Sequence, residues 1–181
     1  MLKYQEGRFR VPGATPPEVS WLLLEVQDPN ALLVFGHGAG ADMNQTSLAT
    51  IATELSRRGV AVLRFNFPFM ESGKGPVGSR AVATATIASA VAQARVFSGD
   101  LPLFVGGHSY GGRMASHAIL EHDLGDVRGL IFCSFPLHTA GAPATSRANH
   151  LRDIELPMLF LSGTRDALAE PDLLRGVVAG I

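Results

Sequence analysis

Short apolar runs alternate along this chain with longer segments of helical pattern. The apolar runs predict strands at 19–26, 31–35, 60–66, 101–106, 129–135 and 157–163, and a weaker edge strand at 7–11. Helices are predicted over 44–58, 80–97, 111–122 and 171–178. From residue 31 onward the strands are apolar without alternation, which is typical of a parallel sheet covered on both faces. We therefore expect a doubly wound α/β fold with a mostly parallel sheet, whose ligands bind at the carboxyl ends of the strands.

Local signals refine this pattern at two places. Asn44 is a good cap for the helix over 44–58, and Gly59 directly follows its last turn as a stop signal. Residues 136–149 contain a glycine, prolines and several small residues, and they predict a long surface loop before the last strand.

The bulk composition narrows the class of protein. The chain has 181 residues, 46% of them hydrophobic, which fits a single domain over 1–181. A net charge of −1 without runs of like charge argues against partners such as nucleic acid or a membrane surface. Cys133 is the only cysteine, and we find no spacing typical of a metal site or a bound cofactor. No signal sequence or membrane span is evident, so we expect a cytoplasmic protein.

The stretch LFVGGHSYGGRMAS (103–116) places one serine among four glycines, between a predicted strand and a predicted helix. Residues 107–111 match G-x-S-x-G, the pattern of a nucleophile elbow, and the strand–turn–helix context is the one that this motif requires. Such a turn lifts the Ser109 hydroxyl above the sheet. It also aims the backbone N–H of Tyr110 at the position where an oxyanion would form.

The earlier loop FGHGAGADMN (35–44) also follows a strand and precedes a helix. Gly36, Gly38 and Ala41 fit the dinucleotide fingerprint G-x-G-x-x-G/A, but the next strand ends in Arg64 and Asn66 instead of an acidic residue. An arginine suits a 2′-phosphate, so an NADP-binding oxidoreductase stays open as a third hypothesis.

The chain resembles the α/β-hydrolases, and most closely the small bacterial branch related to dienelactone hydrolases and to the testis-expressed and chromatin-complex hydrolase-like proteins. The resemblance rests on HGAGADMN, LRFNFPFME, GGHSYGGRMAS, FPLH, RANHLRDIELP and FLSGTRDAL, which extend in the expected order from about Leu33 to Leu168. It implies that Ser109 is the nucleophile and that Asp166 is the acid. It further implies an oxyanion hole formed by the N–H groups of Tyr110 and Ala39, with Gly38 as the alternative to Ala39.

The histidine expected from this resemblance is missing. The order in the fold is serine, acid, histidine, yet no histidine follows Asp166. His138 is the one histidine expected near the pocket, whereas His108 should point away from the serine. His37 and Glu71 are further candidates for the pocket lining, and Arg113 for a contact between its helix and neighbouring carboxylates.

Two main hypotheses follow. In the first, the chain is a C-terminally truncated esterase-like hydrolase of a small ester, which lacks its last strand and histidine loop. In the second, it is a non-catalytic binding or scaffold module of the same fold. In the truncated form, the open sheet edge would allow oligomers.

Overall fold

The computed structural model describes residues 3–71, 73 and 75–181. In this part of the chain one sheet contains seven strands, in the spatial order β1-β2-β4-β3-β5-β6-β7. The strands are β1 (Tyr4–Arg10), β2 (Glu18–Leu24), β3 (Ala31–Gly36), β4 (Val60–Phe65), β5 (Leu103–His108), β6 (Val127–Cys133) and β7 (Met158–Leu161). The pairs β1–β2 and β2–β4 are antiparallel, and all other neighbours are parallel. The expected doubly wound, mostly parallel α/β fold is confirmed.

Helices cover both faces of this sheet. They are α1 (Thr46–Ser56), α2 (Pro68–Glu71), α3 (Arg80–Ser98), α4 (Tyr110–Glu121) and α5 (Pro171–Val178), together with a 3₁₀ helix at Ser146–Asp153. The larger core cluster joins the sheet to α3, α4 and α5, and a smaller one packs α1 against the other face. Buried side chains on both faces of β3 and β4 explain why their sequences are apolar throughout.

Three local predictions differ from the structure. Asn44 is not the cap of α1, because the cap position belongs to Gln45 and the Asp42 carboxylate accepts a hydrogen bond from the Asn44 N–H. The weak strand at 7–11 is a full strand that pairs with β2 over seven residues. The predicted surface loop at 136–149 starts inside the protein, where Leu137 and His138 are buried, and it ends in the 3₁₀ helix. Gly59, with φ of 83°, lies in the turn after α1, because the helix itself ends at Ser56 with Arg57 as its cap.

Glu71, at the end of α2, ties the antiparallel strands to the parallel part of the sheet. Its carboxylate accepts hydrogen bonds from the backbone N–H of Ser20 at 2.9 Å, from the Ser20 hydroxyl at 3.2 Å and from Asn66 at 2.8 Å. Arg8 on β1 lies 3.3 Å from the same carboxylate. Burial alone would raise the pKa of Glu71, but these hydrogen bonds and the arginine outweigh burial and lower it.

We expect Glu71→Gln to reduce the free energy of unfolding by about 2 kcal/mol at pH 7, because hydrogen bonds to a charged acceptor are lost. The folded pKa of Glu71 is lowered, so its contribution is fully present above the unfolded value of 4.5 and is lost as pH falls through the folded value. Urea unfolding at pH 7 and at pH 3 measures both effects.

Glu18→Gln is the matched control, because Glu18 also pairs with Arg8 but its side chain is 58% exposed. We expect it to change stability by less than about 0.5 kcal/mol. A Glu71→Gln variant as stable as this control at pH 7 would contradict the proposed role of the network.

Candidate active site

Ser109 occupies a sharp turn between β5 and α4. β5 ends at His108 and α4 begins at Tyr110, so Ser109 alone connects the two. Its backbone has φ of 51° and ψ of −111°, a conformation that costs a non-glycine residue free energy. The side chain is partly exposed, and among the described residues none forms a hydrogen bond with its hydroxyl. The geometry is that of a nucleophile elbow.

Glycines around the turn are required by the close approach of two backbone segments. A Cβ built on Gly111 would lie 2.4 Å from the carbonyl oxygen of Gly36, at the end of β3. A Cβ on Gly107 would lie 2.6 Å from that same oxygen and 2.6 Å from the carbonyl carbon of Gly111. No real side chain fits at these distances, so the two glycines allow the start of α4 to sit directly against the loop after β3.

A cavity of about 480 Å³ opens beside Ser109 at the carboxyl ends of β5, β6 and β7. Its lining residues are His108, Ser109, Ser134, Gly163, Thr164, Arg165, Asp166 and Leu168. The structure thus brings Ser109 and Asp166 together in one cavity. Ser134, directly after β6, has a positive φ of 55° and was not singled out from the sequence.

Asp166 is held in the turn that follows β7. Its carboxylate oxygen Oδ1 accepts a hydrogen bond from the backbone N–H of Leu168 at 2.9 Å, and its own N–H donates to Gly163 at 3.1 Å. The carboxylate is partly exposed toward the cavity and keeps capacity to accept a further donor. Such an acceptor can orient an imidazole beside Ser109.

His108 lines the same cavity as Ser109 and Asp166. That its side chain points away from the serine stays a prediction. Burial lowers the pKa of His108, and the nearby Asp166 charge opposes this shift. Its Nδ1 atom is buried without a hydrogen-bond partner and lies against Gly38, where a built Cβ would be 3.1 Å away. The imidazole of His108 is therefore uncharged at neutral pH. It contacts the loop after β3 and feels the charge of Asp166 in the turn after β7.

The loop after β3 presents backbone N–H groups beside the elbow. Gly38 is buried and Ala39 is exposed. Residues 38–41 form a turn, in which the N–H of Ala41 donates to the carbonyl of Gly38 at 3.1 Å. Within the described residues the Ala39 N–H has no acceptor. The N–H of Tyr110 also lacks an intrahelical acceptor, because Tyr110 is the first residue of α4. Neither Ala39 nor Tyr110, nor Gly38, is among the residues that line the Ser109 cavity, so their role as oxyanion donors stays a prediction.

His37 braces this loop from inside the protein. The backbone N–H of Phe67 donates to His37 Nε2 at 2.9 Å, so the proton must reside on Nδ1, which donates to the Gly38 carbonyl at 2.7 Å. Burial lowers the pKa of His37 to about 4, against the opposing effects of Gly38 and Asp42. His37 is fully buried and does not line the Ser109 cavity, contrary to the prediction.

Three other sequence-based assignments also need correction. His138 does not line the cavity, because its ring is hydrogen-bonded to Glu170 and to the carbonyl of Thr139. Glu71 does not line the cavity either, because its carboxylate bonds to Ser20 and Asn66 near Arg8. Arg64 is 2% exposed and donates to the Met43 carbonyl at 2.6 Å, so its guanidinium is not accessible to an NADP phosphate.

Neither metal ligands nor a membrane span stand out in the part of the chain described. Within residues 3–71, 73 and 75–181, no three His, Cys, Asp or Glu side chains are grouped to hold a metal ion. None of the helices there has the length and apolar character needed to cross a bilayer.

Comparison with known proteins gives a consistent family. Residues 29–179 match the family model described as an alpha/beta hydrolase domain. An alpha-beta serine hydrolase homologue from Coxiella burnetii superposes with a TM-score of 0.76 at 16% identity, covering 98% of this chain and 82% of that one. A serine hydrolase without lid from Xanthomonas campestris gives 0.73 at 17% identity, covering 98% and 79%. A dienelactone hydrolase from Anabaena variabilis gives 0.68 at 14% identity, covering 98% and 94%.

The buried His37 predicts a specific loss of stability in acid. The pKa of His37 in the folded protein is about 4, below the ordinary 6.5. Between pH 6.5 and pH 4 the unfolded chain therefore binds a proton at this residue and the native state does not. Stability therefore falls as pH decreases from 6.5 to 4, by about 3 kcal/mol from this residue. In His37→Gln, which cannot titrate, this part of the pH dependence should be missing. Urea unfolding of both proteins at several pH values provides the measurement, and equal slopes in the two would contradict the assignment.

Proposed function

The chain belongs to the α/β-hydrolase family, and we propose that it is a serine hydrolase of the esterase type that acts on a small ester. One observation carries the proposal: Ser109 stands on a strained elbow, with its hydroxyl unengaged, in one cavity with Asp166. An α/β-hydrolase fold alone does not specify a reaction, whereas the residues of this site do.

The proposed reaction is acyl transfer in two steps. Ser109 Oγ attacks the ester carbonyl, its proton passes to a base, and the N–H groups of Tyr110 and Ala39 stabilise the tetrahedral oxyanion. The base then protonates the departing alcohol, which leaves an acyl-serine. Water attacks the acyl-serine through the same base and releases the carboxylic acid, so Ser109 regains its proton.

The base is the component that these 181 residues do not supply in the expected order. Histidine follows the acid in this fold, and none follows Asp166. We propose that Asp166 orients the imidazole that acts as the base, and that His108 is not this base. This proposal is supported by the orientation of His108, whose buried Nδ1 lies against Gly38.

A small ester is the substrate class that the site supports. The cavity of about 480 Å³ is bounded by short loops, since only residues 134–145 connect β6 to the 3₁₀ helix. Structural neighbours named as esterases have the same fold, including one from Pyrococcus furiosus. The alternative, a non-catalytic binding module, is favoured because no histidine among the described residues forms a hydrogen bond with Ser109 or Asp166.

Chemical rescue tests this account on the chain as it is. With p-nitrophenyl acetate as substrate, we expect added imidazole to accelerate hydrolysis about tenfold or more above its own background rate. This is part of the roughly 10²- to 10⁴-fold effect of a positioned base. The rate should follow the unprotonated fraction of imidazole and should disappear in Ser109→Ala.

Ser134→Ala is the matched control, because Ser134 is the other serine that lines the cavity. We expect it to keep the rescue. Rescue lost in Ser134→Ala but kept in Ser109→Ala would contradict the choice of nucleophile. If the chain hydrolyses the substrate without imidazole and His108→Ala abolishes this activity, His108 is the base. If the chain is folded and imidazole does not accelerate hydrolysis, the result supports the binding module.

A further inference from the structure

Arg113, one turn after Ser109 on α4, has no hydrogen-bond or ion-pair partner for its side chain among the described residues. Its Nε is buried without a hydrogen-bond acceptor, and none of the described carboxylates forms an ion pair with it. The sequence predicted that Arg113 joins its helix to neighbouring carboxylates, and the structure contradicts this. A partly buried charge without a counter-charge is costly, so its presence calls for a reason.

Two further arginines gather around Arg113. Arg80 is the first residue of α3, and Arg147 belongs to the 3₁₀ helix that packs against α4. Burial lowers the pKa of Arg113, and the positive charges of Arg147 and Arg80 lower it further. We call these three residues the arginine cluster. Its one ion-paired carboxylate is Glu121, 2.9 Å from Arg80, so the cluster has excess positive charge.

A second unpaired polar atom lies beside the cluster. His117, four residues after Arg113 and therefore on the same face of α4, is 8% exposed, and its Nε2 is buried without a partner. Its ring stacks on His150 with centroids 3.8 Å apart, and His150 in turn contacts the Ser116 hydroxyl at 2.8 Å. Burial, His150 and the arginines lower the pKa of His117 to about 4, while Glu121 opposes them.

The only carboxylate paired with these groups among the described residues is Glu121, which pairs with Arg80 and leaves Arg113 and Arg147 without a counter-charge. Arg113 and His117 have donor capacity that no described residue uses, and Arg147 has one bond, from Nη1 to the His138 carbonyl at 2.9 Å. The N-terminus of the 19-residue helix α3 adds its positive dipole at Arg80. We propose that the arginine cluster and His117 form a binding site for a phosphate group.

A phosphate group fits this arrangement better than a carboxylate. Guanidinium groups bind phosphate through paired N–H donors, and a tetrahedral dianion offers at least three oxygens to groups approaching from different elements. The cluster draws its members from α3, α4 and the 3₁₀ helix. A planar carboxylate has one charge and two oxygens, so it would leave part of the cluster unpaired. The site does not depend on the chemistry proposed for Ser109.

Calorimetric titration of the 181-residue chain with inorganic phosphate tests the proposal, at constant ionic strength kept with sodium chloride because screening weakens exposed charges. We expect one saturable site and binding of acetate that is at least about tenfold weaker, because acetate has one charge. Arg113→Gln should weaken phosphate binding by about tenfold or more, through the loss of a charge-assisted pair. Arg128→Gln, on a 61% exposed arginine that pairs with Asp126, should leave it within about twofold as the matched control.

Thermal unfolding separates this role from a structural one. Without phosphate, Arg113→Gln should be as stable as the wild type or more stable, because the variant removes an uncompensated cation. With phosphate, the wild type should be stabilised and the variant should not. A large loss of stability in the variant without phosphate would instead make Arg113 a structural residue and overturn the proposal.

The source of the phosphate is decided by comparing the inorganic anion with phenyl phosphate. Tighter binding of phenyl phosphate assigns the site to a phosphorylated organic compound, and tighter binding of the inorganic anion assigns it to free phosphate. Saturable binding of neither ligand, equal binding of acetate, or equal losses in Arg113→Gln and Arg128→Gln would each overturn the proposal.

Discussion

The close approach of the loop after β3 to the first turn of α4 is the constraint on which the rest of the site depends. The carbonyl oxygen of Gly36 lies within 2.6 Å of where a Cβ on Gly107 or Gly111 would be, so only glycines permit the contact. The contact sets the loop after β3, which contains Ala39, against the first turn of α4, which begins at Tyr110 directly after Ser109. The fully buried His37 then locks the loop by bonding to both Phe67 and Gly38. A strained serine and its surroundings are thus held by packed backbone rather than by flexible side chains.

In the proposed function, the positioning of the serine is separate from proton transfer. Local backbone geometry forms the turn at Ser109, the turn that holds Asp166 and the loop with its N–H groups. None of these features needs a histidine. A base contributes only when an imidazole reaches both Asp166 and Ser109. In this proposal the backbone positions Ser109, and catalysis also requires an imidazole that transfers the proton.

Much of this fold can be predicted from the sequence because its parallel strands are continuous apolar runs with glycines at their ends. The strand–turn–helix around Ser109 and the helix Pro171–Val178 follow from such local signals. The pairing of His138 with Glu170 and the burial of Glu71 among Ser20, Asn66 and Arg8 could not be predicted, because each joins residues distant in the sequence. The arginine cluster is a similar case: positions 80, 113 and 147 show no charge run, and only the packing of their helices brings them together.

The central claim is that backbone geometry presents Ser109, and no other serine, for attack. The most direct measurement is peptide mapping by mass spectrometry after the folded chain reacts with a fluorophosphonate in the presence of imidazole, where the serine oxygen displaces fluoride. The account predicts one phosphonylated residue, Ser109, and no modification once the chain is unfolded in urea. Modification of Ser134 instead, or equal modification of folded and unfolded chains, would contradict it.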